Sequence, residues 1–258
     1  MIRIRRSPDV PTTLASTKVD SARREIESIV ASGNLCSTDF QSHWNAPDVR
    51  KALYEMQHHK CCYCERTRDE KRESDIDHFR PKALYWWLAY VWNNLFFTCR
   101  ACNQEHKKDK FPLRDEATRV TDPRIDPSRE SYLLLHPCED DPEEFLRWEW
   151  GACLEPRSPQ LVLLDHREER GRVTVVTLGL NDGELPIERG RIAVRFEALI
   201  TKYRAGEYLG NETLKATAVH EILREIAPSQ EFLGLRRAML RNAGLGWIIE
   251  TGSDSTAS

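Results

Sequence analysis

Two Cys-x-x-Cys pairs constrain this chain more than any other feature of its sequence. The first pair is Cys61 and Cys64, the second is Cys99 and Cys102, and residues 65–98 separate them. A tetrahedral structural zinc needs four soft ligands, and each Cys-x-x-Cys turn delivers two thiolates to one point. Four buried, reduced cysteines are the alternative, and a redox role fits less well because two such pairs bracket a polar motif. The spacing therefore favours one structural Zn²⁺ site.

The other four cysteines lie outside these pairs. Cys36, Cys138 and Cys153 are isolated in the sequence, and we expect them to be core residues. Cys62 adjoins the first pair, so it either replaces a neighbouring ligand or packs in the core. In a reducing compartment disulfides are not the expected use of cysteine, so the four cysteines that form the two pairs point to metal binding.

Composition excludes several classes of protein. The chain has 258 residues, 40% of them hydrophobic and 31% charged, as in an ordinary globular protein. Its formal net charge is −3, so any nucleic-acid contact has to come from a local basic face. No apolar run reaches the roughly 18–20 residues of a membrane span, and the basic N-terminus has no apolar segment behind it, unlike a secretory signal. We therefore expect a cytoplasmic protein.

Polar residues that suit phosphodiester hydrolysis lie between and just after the Cys pairs. Asp77 and His78 are adjacent, Asn94 follows later, and Asn103 comes directly after Cys102. A neutral histidine can act as general base near pH 7. A divalent cation held by carboxylate and amide oxygens can stabilise the charge on the phosphate and on the departing oxygen. Because neighbouring strand residues point to opposite faces, His78 can face the water while Asp77 faces the cation.

In this order of residues the chain resembles the HNH nucleases, also called His-Me finger or ββα-metal enzymes. The likeness is strongest to the branch in which four cysteines bind zinc. The resemblance implies that His78 is the general base and that Asp77 and Asn103 bind a catalytic Mg²⁺ or Mn²⁺. It also implies that Asn94 braces the loop and orients the histidine. The implied fold class is α+β, with a ββα-metal core stapled by the four-Cys zinc.

Further motifs extend over much of the chain. They are the runs CCYCE (61–65), DHFRPK (77–82), WNNL (92–95), CN (102–103) with Lys107 and Phe111-Pro112, LLHPCEDDP (134–142) and LGLN (178–181). In these runs the chain resembles, over roughly residues 1–200, the PtuB-like HNH nuclease subunits of Septu-type antiphage systems and some retrons. Members of that family work beside an ATPase of the ABC/SMC-like type, so the resemblance implies such a partner for this chain, and a nucleic-acid substrate, DNA or RNA.

One position departs from the pattern of many HNH enzymes. They carry histidine where this chain has Asn103, and asparagine is an accepted but weaker metal ligand. His106 lies three residues further on, on the same predicted helix face, and could supply a third ligand. A solvated surface histidine is the alternative that we favour for His106.

The segment around these motifs is locally basic. Residues 78–110 carry a net charge of +4, which suits contact with a phosphate backbone. We expect Arg80, Lys82 and Lys107 to bind nucleic acid, with Lys107 as the best single candidate. The alternative is an ordinary solvated face. The many aromatic residues of the segment are more simply explained as the core of a small metal-stapled motif.

Hydrophobic periodicity divides the chain into three regions. We predict an N-terminal helical region (1–60), the HNH core with its zinc site (61–113), and a C-terminal α+β region (114–258) of strands followed by helices and a disordered tail. Asn45 is a candidate cap for a helix that starts near Pro47. The predicted helices are 17–32, one from Pro47, 185–203, 211–226 and 228–242; the predicted strands are 131–135, 145–150, 151–154 and 173–178; the predicted disordered tail is 251–258.

Two functions from different classes fit these motifs. The first is an HNH endonuclease that acts with an ATPase. A weaker form of this hypothesis makes the C-terminal helices (185–245) the main partner-binding surface, with the nuclease held inactive until assembly. The second is a zinc module that binds nucleic acid or protein without chemistry. The Asp77-His78 pair favours the enzyme, because a pure zinc ribbon has no need for it.

Overall fold

The protein was analysed as a computed structural model, which describes residues 1–33, 35–150 and 161–254. The strand predicted for residues 151–154, the role predicted for Cys153 and the last four residues of the predicted tail lie outside these ranges. The described helices and strands used below are α1 (Thr17–Ala31), α2 (Pro47–Met56), β1 (Ser74–His78), β2 (Leu95–Cys99), a π-helix (Ala101–Lys107), α3 (Pro142–Phe145), β3 (Leu146–Trp150), β4 (Val162–His166), α4 (Glu169–Thr177), α5 (Leu185–Tyr208), α6 (Glu212–Glu225), α7 (Leu233–Asn242) and α8 (Trp247–Asp254).

The centre of the molecule is a ββα unit. Strands β1 and β2 pair antiparallel, with Ser74 opposite Cys99 and His78 opposite Leu95. The π-helix begins two residues after β2 ends, and the amide N–H of Lys108 closes it by donating to the carbonyl of Asn103 at 2.6 Å. This arrangement, with helices on both sides in sequence, confirms the predicted α+β class and its ββα core.

The N-terminal helices cover one side of this unit. Helix α1 confirms the prediction for residues 17–32 to within one residue, and α2 starts at Pro47 as predicted. The cap prediction is wrong, because Ala46 precedes the helix and the Asn45 side chain accepts a hydrogen bond from Arg50 instead. A separate hydrophobic cluster joins these helices to β1, β2 and the loop between the two strands; its buried members are Leu14, Val19, Ala22, Ile26, Phe40, Val49, Leu53, Ile76, Ala89, Tyr90, Trp92, Leu95 and Phe97.

The C-terminal region packs against the other side, around the main hydrophobic core. That core reaches from Met1 through the four zinc-pair cysteines to Ile248, so it crosses the boundaries of the three predicted regions. Helices α5 and α6 form a long antiparallel hairpin that confirms the helices predicted there. Helix α7 starts at Leu233, later than the predicted 228, because Phe232 adopts a left-handed backbone with φ 49°.

Two strand predictions in this region are wrong. Residues 173–178 were expected to be a strand because valine and threonine favour extended backbone. They lie mostly in helix α4, which buries Gly171, Thr174 and Val175 at helical spacing. Residues 131–135 form only an isolated bridge, from Tyr132 to Leu113. Strand β3, in contrast, confirms the prediction for residues 145–150.

The C-terminal tail also differs from its prediction. Helix α8 runs to Asp254, so the expectation of disorder is wrong for residues 251–254. The buried Ile248 near the start of α8 belongs to the main core, and this contact holds the helix against the protein. None of the helices in the described ranges combines the length and apolar character needed to cross a bilayer.

Candidate active site

The two Cys-x-x-Cys pairs meet at one point. The sulfur atoms of Cys61, Cys64, Cys99 and Cys102 all lie within 4.8 Å of one another, and all four residues are buried and free of disulfides. Zn–S bonds of ~2.3 Å in a tetrahedron place neighbouring sulfurs about 3.8 Å apart. The Sγ atoms of Cys64 and Cys99 are 3.8 Å apart. The cluster therefore fits a tetrahedral metal ion.

A tight backbone turn and a lowered thiol pKa both favour metal binding by this cluster. The N–H of Cys61 donates to the carbonyl of Arg66, and the N–H of Glu65 donates back to Cys61 with Glu65 in the left-handed region at φ 64°. This tight turn brings the sulfurs of the first pair together. Hydrogen bonds from Cys102 and Cys61 lower the pKa of the Cys64 thiol to about 7. A thiolate is the form that binds metal.

The remaining described cysteines do not join the cluster. Cys62 is buried but contributes no sulfur to it, so it packs in the core and does not replace a neighbouring ligand. Cys138 is half-buried. The prediction that Cys36 is a core residue is wrong, because its side chain is exposed in the segment between α1 and α2.

Asp77 lies on β1 with both carboxylate oxygens engaged. The Tyr63 hydroxyl donates to Oδ2 at 2.7 Å, and the Lys107 ammonium donates to Oδ1 at 3.0 Å. Asp77 is only 3% exposed. Burial raises the pKa of this carboxyl above its usual range, and Lys107 and Tyr63 partly offset that effect. A carboxylate has about four lone-pair sites, so these two donors leave two sites for another ligand.

That His78 and Asp77 face opposite sides of β1 stays a prediction. His78 itself contacts the loop that follows the strand. Its Nε2 lies 2.9 Å from the carbonyl oxygen of Ala89. A carbonyl can only accept, so Nε2 carries the proton and Nδ1 keeps a free lone pair. Burial, followed by the nearby Lys82 and Lys107, lowers the pKa of His78 to about 3, so the ring is neutral at pH 7. The indole of Trp44 meets the imidazole edge-on at 4.9 Å.

Asn94 ties together the two ends of the loop that follows β1. Its Oδ1 accepts from the N–H of Arg80 at 2.8 Å, and its Nδ2 donates to the carbonyls of Arg80 and Leu88 at 3.0 and 3.2 Å. These bonds fix the segment that supplies the Ala89 carbonyl to His78. The brace that the family resemblance implies for Asn94 stays a prediction, and these are the contacts through which Asn94 would act.

A cavity of about 220 Å³ brings the predicted catalytic residues together. Asp77, His78 and Asn103 all line it, along with Trp44, Ile76, Pro81, Lys82, Gln104, Lys108 and Asp109. A neighbouring cavity of about 440 Å³ shares Trp44, Ile76, Asn103 and Gln104, and it adds Asp75, Arg50, Lys71 and Arg100. The shared lining makes the two cavities parts of one surface groove across β1.

Asn103 stands near the start of the π-helix, beside a second carboxylate. Its Nδ2 lies 3.4 Å from Oδ2 of Asp75, which also accepts from Gln104 at 2.8 Å. Because the side-chain nitrogen of Asn103 faces Asp75, the side-chain oxygen of Asn103 is free to bind another ligand. His106 does not line either cavity of the groove; its Nδ1 lies 3.5 Å from Asp182.

The three predicted phosphate contacts have different surroundings. Lys82 is half-buried and lines the 220 Å³ cavity, with its ammonium 5.5 Å from the Trp44 ring. Lys107 is fully buried on Asp77. Arg80 is buried too, and it pairs with Glu130 at 3.2 Å. Direct phosphate contact by Lys107 or Arg80 would require each to leave a buried partner, which argues against those two predictions.

Sequence reasoning missed two side chains of this site. Trp44 belongs to no motif, and only the tertiary fold brings it to His78. Tyr63 lies within the first Cys pair, and its position between two metal ligands was the available signal that it would be buried close to the catalytic strand.

Comparisons with known proteins support the same assignment. The family model described as HNH endonuclease matches residues 61–109, the segment that contains both Cys pairs and the groove residues of β1 and the π-helix. The predicted endonuclease class and the resemblance to the PtuB-like family are therefore confirmed.

Three curated relatives match over different shares of their length. The Septu protein PtuB of Bacillus thuringiensis is 32% identical over 117 residues, 44% of this chain and 41% of that protein. The Septu protein PtuA of Bacillus mycoides (strain KBAB4) is 26% identical over 203 residues, 74% of this chain but only 25% of that protein. The Septu protein PtuB of the same strain is 32% identical over 212 residues, 76% of this chain and 68% of that protein. With more than two thirds of both sequences aligned in this last match, the chain belongs to the PtuB family of Septu proteins and carries an HNH endonuclease domain at its centre.

Proposed function

We propose that this chain hydrolyses phosphodiester bonds of nucleic acid, with His78 as general base and with Asp77 and Asn103 as ligands of a divalent cation. The single observation that carries the proposal is the bond between His78 Nε2 and the Ala89 carbonyl. It leaves the Nδ1 lone pair of a neutral ring as the proton acceptor, in a residue that lines the same cavity as Asp77 and Asn103.

The chain's own residues account for most of the chemistry. His78 takes a proton from the attacking water at Nδ1, and Asn94 keeps the loop that orients the imidazole in place. A Mg²⁺ or Mn²⁺ on the free lone pairs of Asp77 and the amide oxygen of Asn103 would stabilise negative charge on the phosphate and the leaving oxygen. The oxygen-only donor set suits either ion.

The four-Cys cluster has a structural part in this proposal. We assign Zn²⁺ to it because the sulfur spacing matches tetrahedral Zn–S geometry and all four ligands are protein thiols, with no position open for water. The zinc joins the turn before β1 to the junction between β2 and the π-helix, and so holds the two ends of the active site together.

Cations around the groove supply the contact with nucleic acid. Lys82 and Lys108 line the catalytic cavity, and Arg100 and Lys71 line its neighbour. These four cations flank the catalytic residues on both sides, as a strand that lies across β1 would require. Because phosphate contacts are electrostatic, binding through them should weaken steeply with salt.

A partner protein belongs to the proposal as well. Septu proteins named PtuA and PtuB occur together in one Bacillus mycoides strain, and both resemble this chain. We propose that the chain is the nuclease subunit of a Septu-type or retron-associated antiphage system in the cytoplasm, and that an ATPase of the ABC/SMC-like type controls it.

A single substitution tests the role of His78. Purified wild-type protein and His78→Ala are incubated with plasmid DNA and with total tRNA, in Mg²⁺ or Mn²⁺, with and without the ATPase partner. We expect His78→Ala to lower the cleavage rate by about 10²–10⁴-fold, with zinc content unchanged and the protein still folded at the assay temperature. His220→Ala, on the exposed side of α6, is the matched control. Wild-type cleavage by a zinc-loaded His78→Ala protein would refute the assignment.

A further inference from the structure

The catalytic carboxylate is held by a side chain from inside the zinc-binding turn. Tyr63 lies between Cys61 and Cys64, and its hydroxyl donates to Asp77 Oδ2 at 2.7 Å. Tyr63 is 1% exposed, so no water competes for this hydrogen bond. An ionised carboxylate can only accept hydrogen bonds, so the Tyr63 hydroxyl is the donor in this pair.

The second zinc-binding segment holds the other oxygen of the same carboxylate. Lys107 ends the π-helix that begins after Cys99 and contains Cys102. Its ammonium donates to Asp77 Oδ1 at 3.0 Å and to the carbonyl of His78 at 2.8 Å. Each half of the four-Cys cluster thus contributes one donor to Asp77.

Two donors on two different oxygens fix the plane of a carboxylate. Rotation of the Asp77 side chain would break either the Tyr63 or the Lys107 hydrogen bond, and in a buried site each broken bond leaves an unpaired polar group, which is unfavourable. The two remaining lone-pair sites consequently keep a fixed direction. A cation ligand with a fixed direction binds more tightly, since no orientation has to be lost on binding.

We propose that Tyr63 is a positioning residue that aims Asp77 at the catalytic cation, and that it thereby makes cation affinity depend on an intact zinc turn. This inference rests on the proposed function, in which Asp77 is a cation ligand. Tyr63 itself touches neither the cation nor the substrate. Its effect passes through one hydrogen bond, which a Phe side chain of nearly the same volume removes.

The test measures cation affinity directly. Zinc-loaded wild type and Tyr63→Phe are titrated with Mn²⁺, and free Mn²⁺ is followed by electron paramagnetic resonance. We expect the Mn²⁺ dissociation constant to rise about 10–100-fold in Tyr63→Phe, with zinc content unchanged. In cleavage assays the Mn²⁺ concentration for half-maximal rate should rise equally, and the rate at saturating Mn²⁺ should recover. Recovery separates positioning from a general loss of structure.

Two further variants make the result specific. Tyr132→Phe is the matched control, because its hydroxyl donates to the exposed Glu139, and its Mn²⁺ affinity should equal that of wild type. Replacement of Tyr63 by 4-aminophenylalanine keeps the ring and an N–H donor, and it should restore most of the lost affinity. This replacement also serves if Tyr63→Phe loses zinc or fails to fold.

The outcomes distinguish this inference from the proposed function. Asp77→Asn should weaken Mn²⁺ binding at least as much as Tyr63→Phe. If Asp77→Asn weakens binding but zinc-loaded Tyr63→Phe binds Mn²⁺ as wild type does, the positioning role is wrong and the proposed function stands. If Asp77→Asn leaves Mn²⁺ affinity unchanged, Asp77 is not a cation ligand, and both the assignment and the inference fail.

Discussion

The molecule contains two antiparallel hairpins of the same size with opposite environments. Each consists of two five-residue strands, β1 with β2 and β3 with β4. In the first hairpin every residue except Asp75 is buried. In the second, β4 alternates between buried Val162 and Leu164 and the exposed Leu163. The second hairpin is therefore an ordinary half-buried sheet, whereas the first carries its polar residues inside the protein.

The difference in burial between the two hairpins changes the pKa of their carboxyl groups in opposite directions. Asp165 on β4 is partly exposed, and the N–H of His166, followed by the Arg147 side chain, lowers the pKa of its carboxyl. Burial raises the pKa of Asp77 on β1 despite an ion pair and a phenol hydrogen bond. An interior charge needs a partner on every side. The first hairpin keeps its charges because Tyr63 and Lys107, held by the two Cys-x-x-Cys segments, contact Asp77.

The largest expected effect is that of metal removal. Chelation of the zinc, or Cys102→Ala, should unfold the β1–β2 hairpin, because structural zinc contributes about 10–16 kcal/mol in small zinc domains. Hydrogen–deuterium exchange with mass spectrometry should show lost protection in residues 74–107 well before residues 162–208. Cys36→Ala, which changes an exposed cysteine, is the control. Equal loss of protection in both hairpins would contradict the contrast between them.

A smaller but still large effect is expected at Lys107. Lys107→Met keeps the length of the side chain and removes the only ion pair of the buried Asp77 in the described structure. Breaking a buried pair at one end costs about 3–5 kcal/mol. Urea unfolding should report a loss of this size, and it should shrink in Asp77→Asn/Lys107→Met, where no charge remains. A cost below about 1 kcal/mol for the single variant would mean that Asp77 does not need its buried partner.

The candidate active-site residues could be selected from the sequence because their order is local and their chemistry is distinctive. Asp77, His78 and Asn103 occur in short motifs next to the Cys pairs, and the structure gathers all three around one cavity. The burial of Lys107 could not be predicted. A lysine within a basic run is usually exposed, and its partner Asp77 lies 30 residues away in the sequence. Local patterns identify residue types but do not reveal such long-range pairs.

The fold could be predicted where hydrophobic residues recur at a regular helical spacing and the segment has a clear beginning and end. Helices α1, α5 and α6 have both, and each was found within a few residues of its prediction. The strand prediction for residues 173–178 is wrong because it rests on side chains that favour extended backbone. Their helix is selected by tertiary contacts instead: the Thr174 hydroxyl accepts a hydrogen bond from the N–H of Leu135, and Gly171 allows α4 to approach Phe145 so closely that a Cβ would lie 2.3 Å from its carbonyl.

His136 packs against Phe96 of the first hairpin and makes stability depend on pH. Its ring packs edge-on against Phe79 at 4.5 Å, and its Nδ1 accepts the N–H groups of Cys138 and Glu139. Burial lowers the pKa of His136 to about 4. The unfolded chain, with a pKa near 6.5, binds more protons between these values. The contribution of His136 to the free energy of unfolding is therefore fully present above about pH 6.5, and it is lost as the pH falls toward 4.

A histidine replacement measures that pH dependence. His136→Asn keeps an acceptor for the two N–H groups but does not titrate, so the fall in unfolding free energy between pH 6.5 and 4 should be smaller in the variant. Between pKa values of about 6.5 in the unfolded chain and about 4 in the folded protein, the largest possible difference is about 3–4 kcal/mol. Since zinc release at low pH affects both proteins, only the difference between their denaturation curves is interpreted. Parallel curves would exclude His136 as the titrating group.

The smallest effect should come from the ion pair of the second hairpin. Arg147 and Asp165 are cross-strand partners on β3 and β4, with Nε to Oδ2 at 2.6 Å, and the arginine side chain is 55% exposed. Solvent screens such a pair, and exposed pairs typically contribute about 0–1 kcal/mol. Arg147→Met should therefore shift the urea midpoint far less than Lys107→Met does, although both substitutions remove one cation from one strand carboxylate. The loss of unfolding free energy caused by Arg147→Met should also be smaller in 0.5 M NaCl, where salt screens the ion pair more strongly. If Arg147→Met were as costly as Lys107→Met, burial would not be what separates the two hairpins, and the dependence of Asp77 on the zinc turns would lose its physical basis.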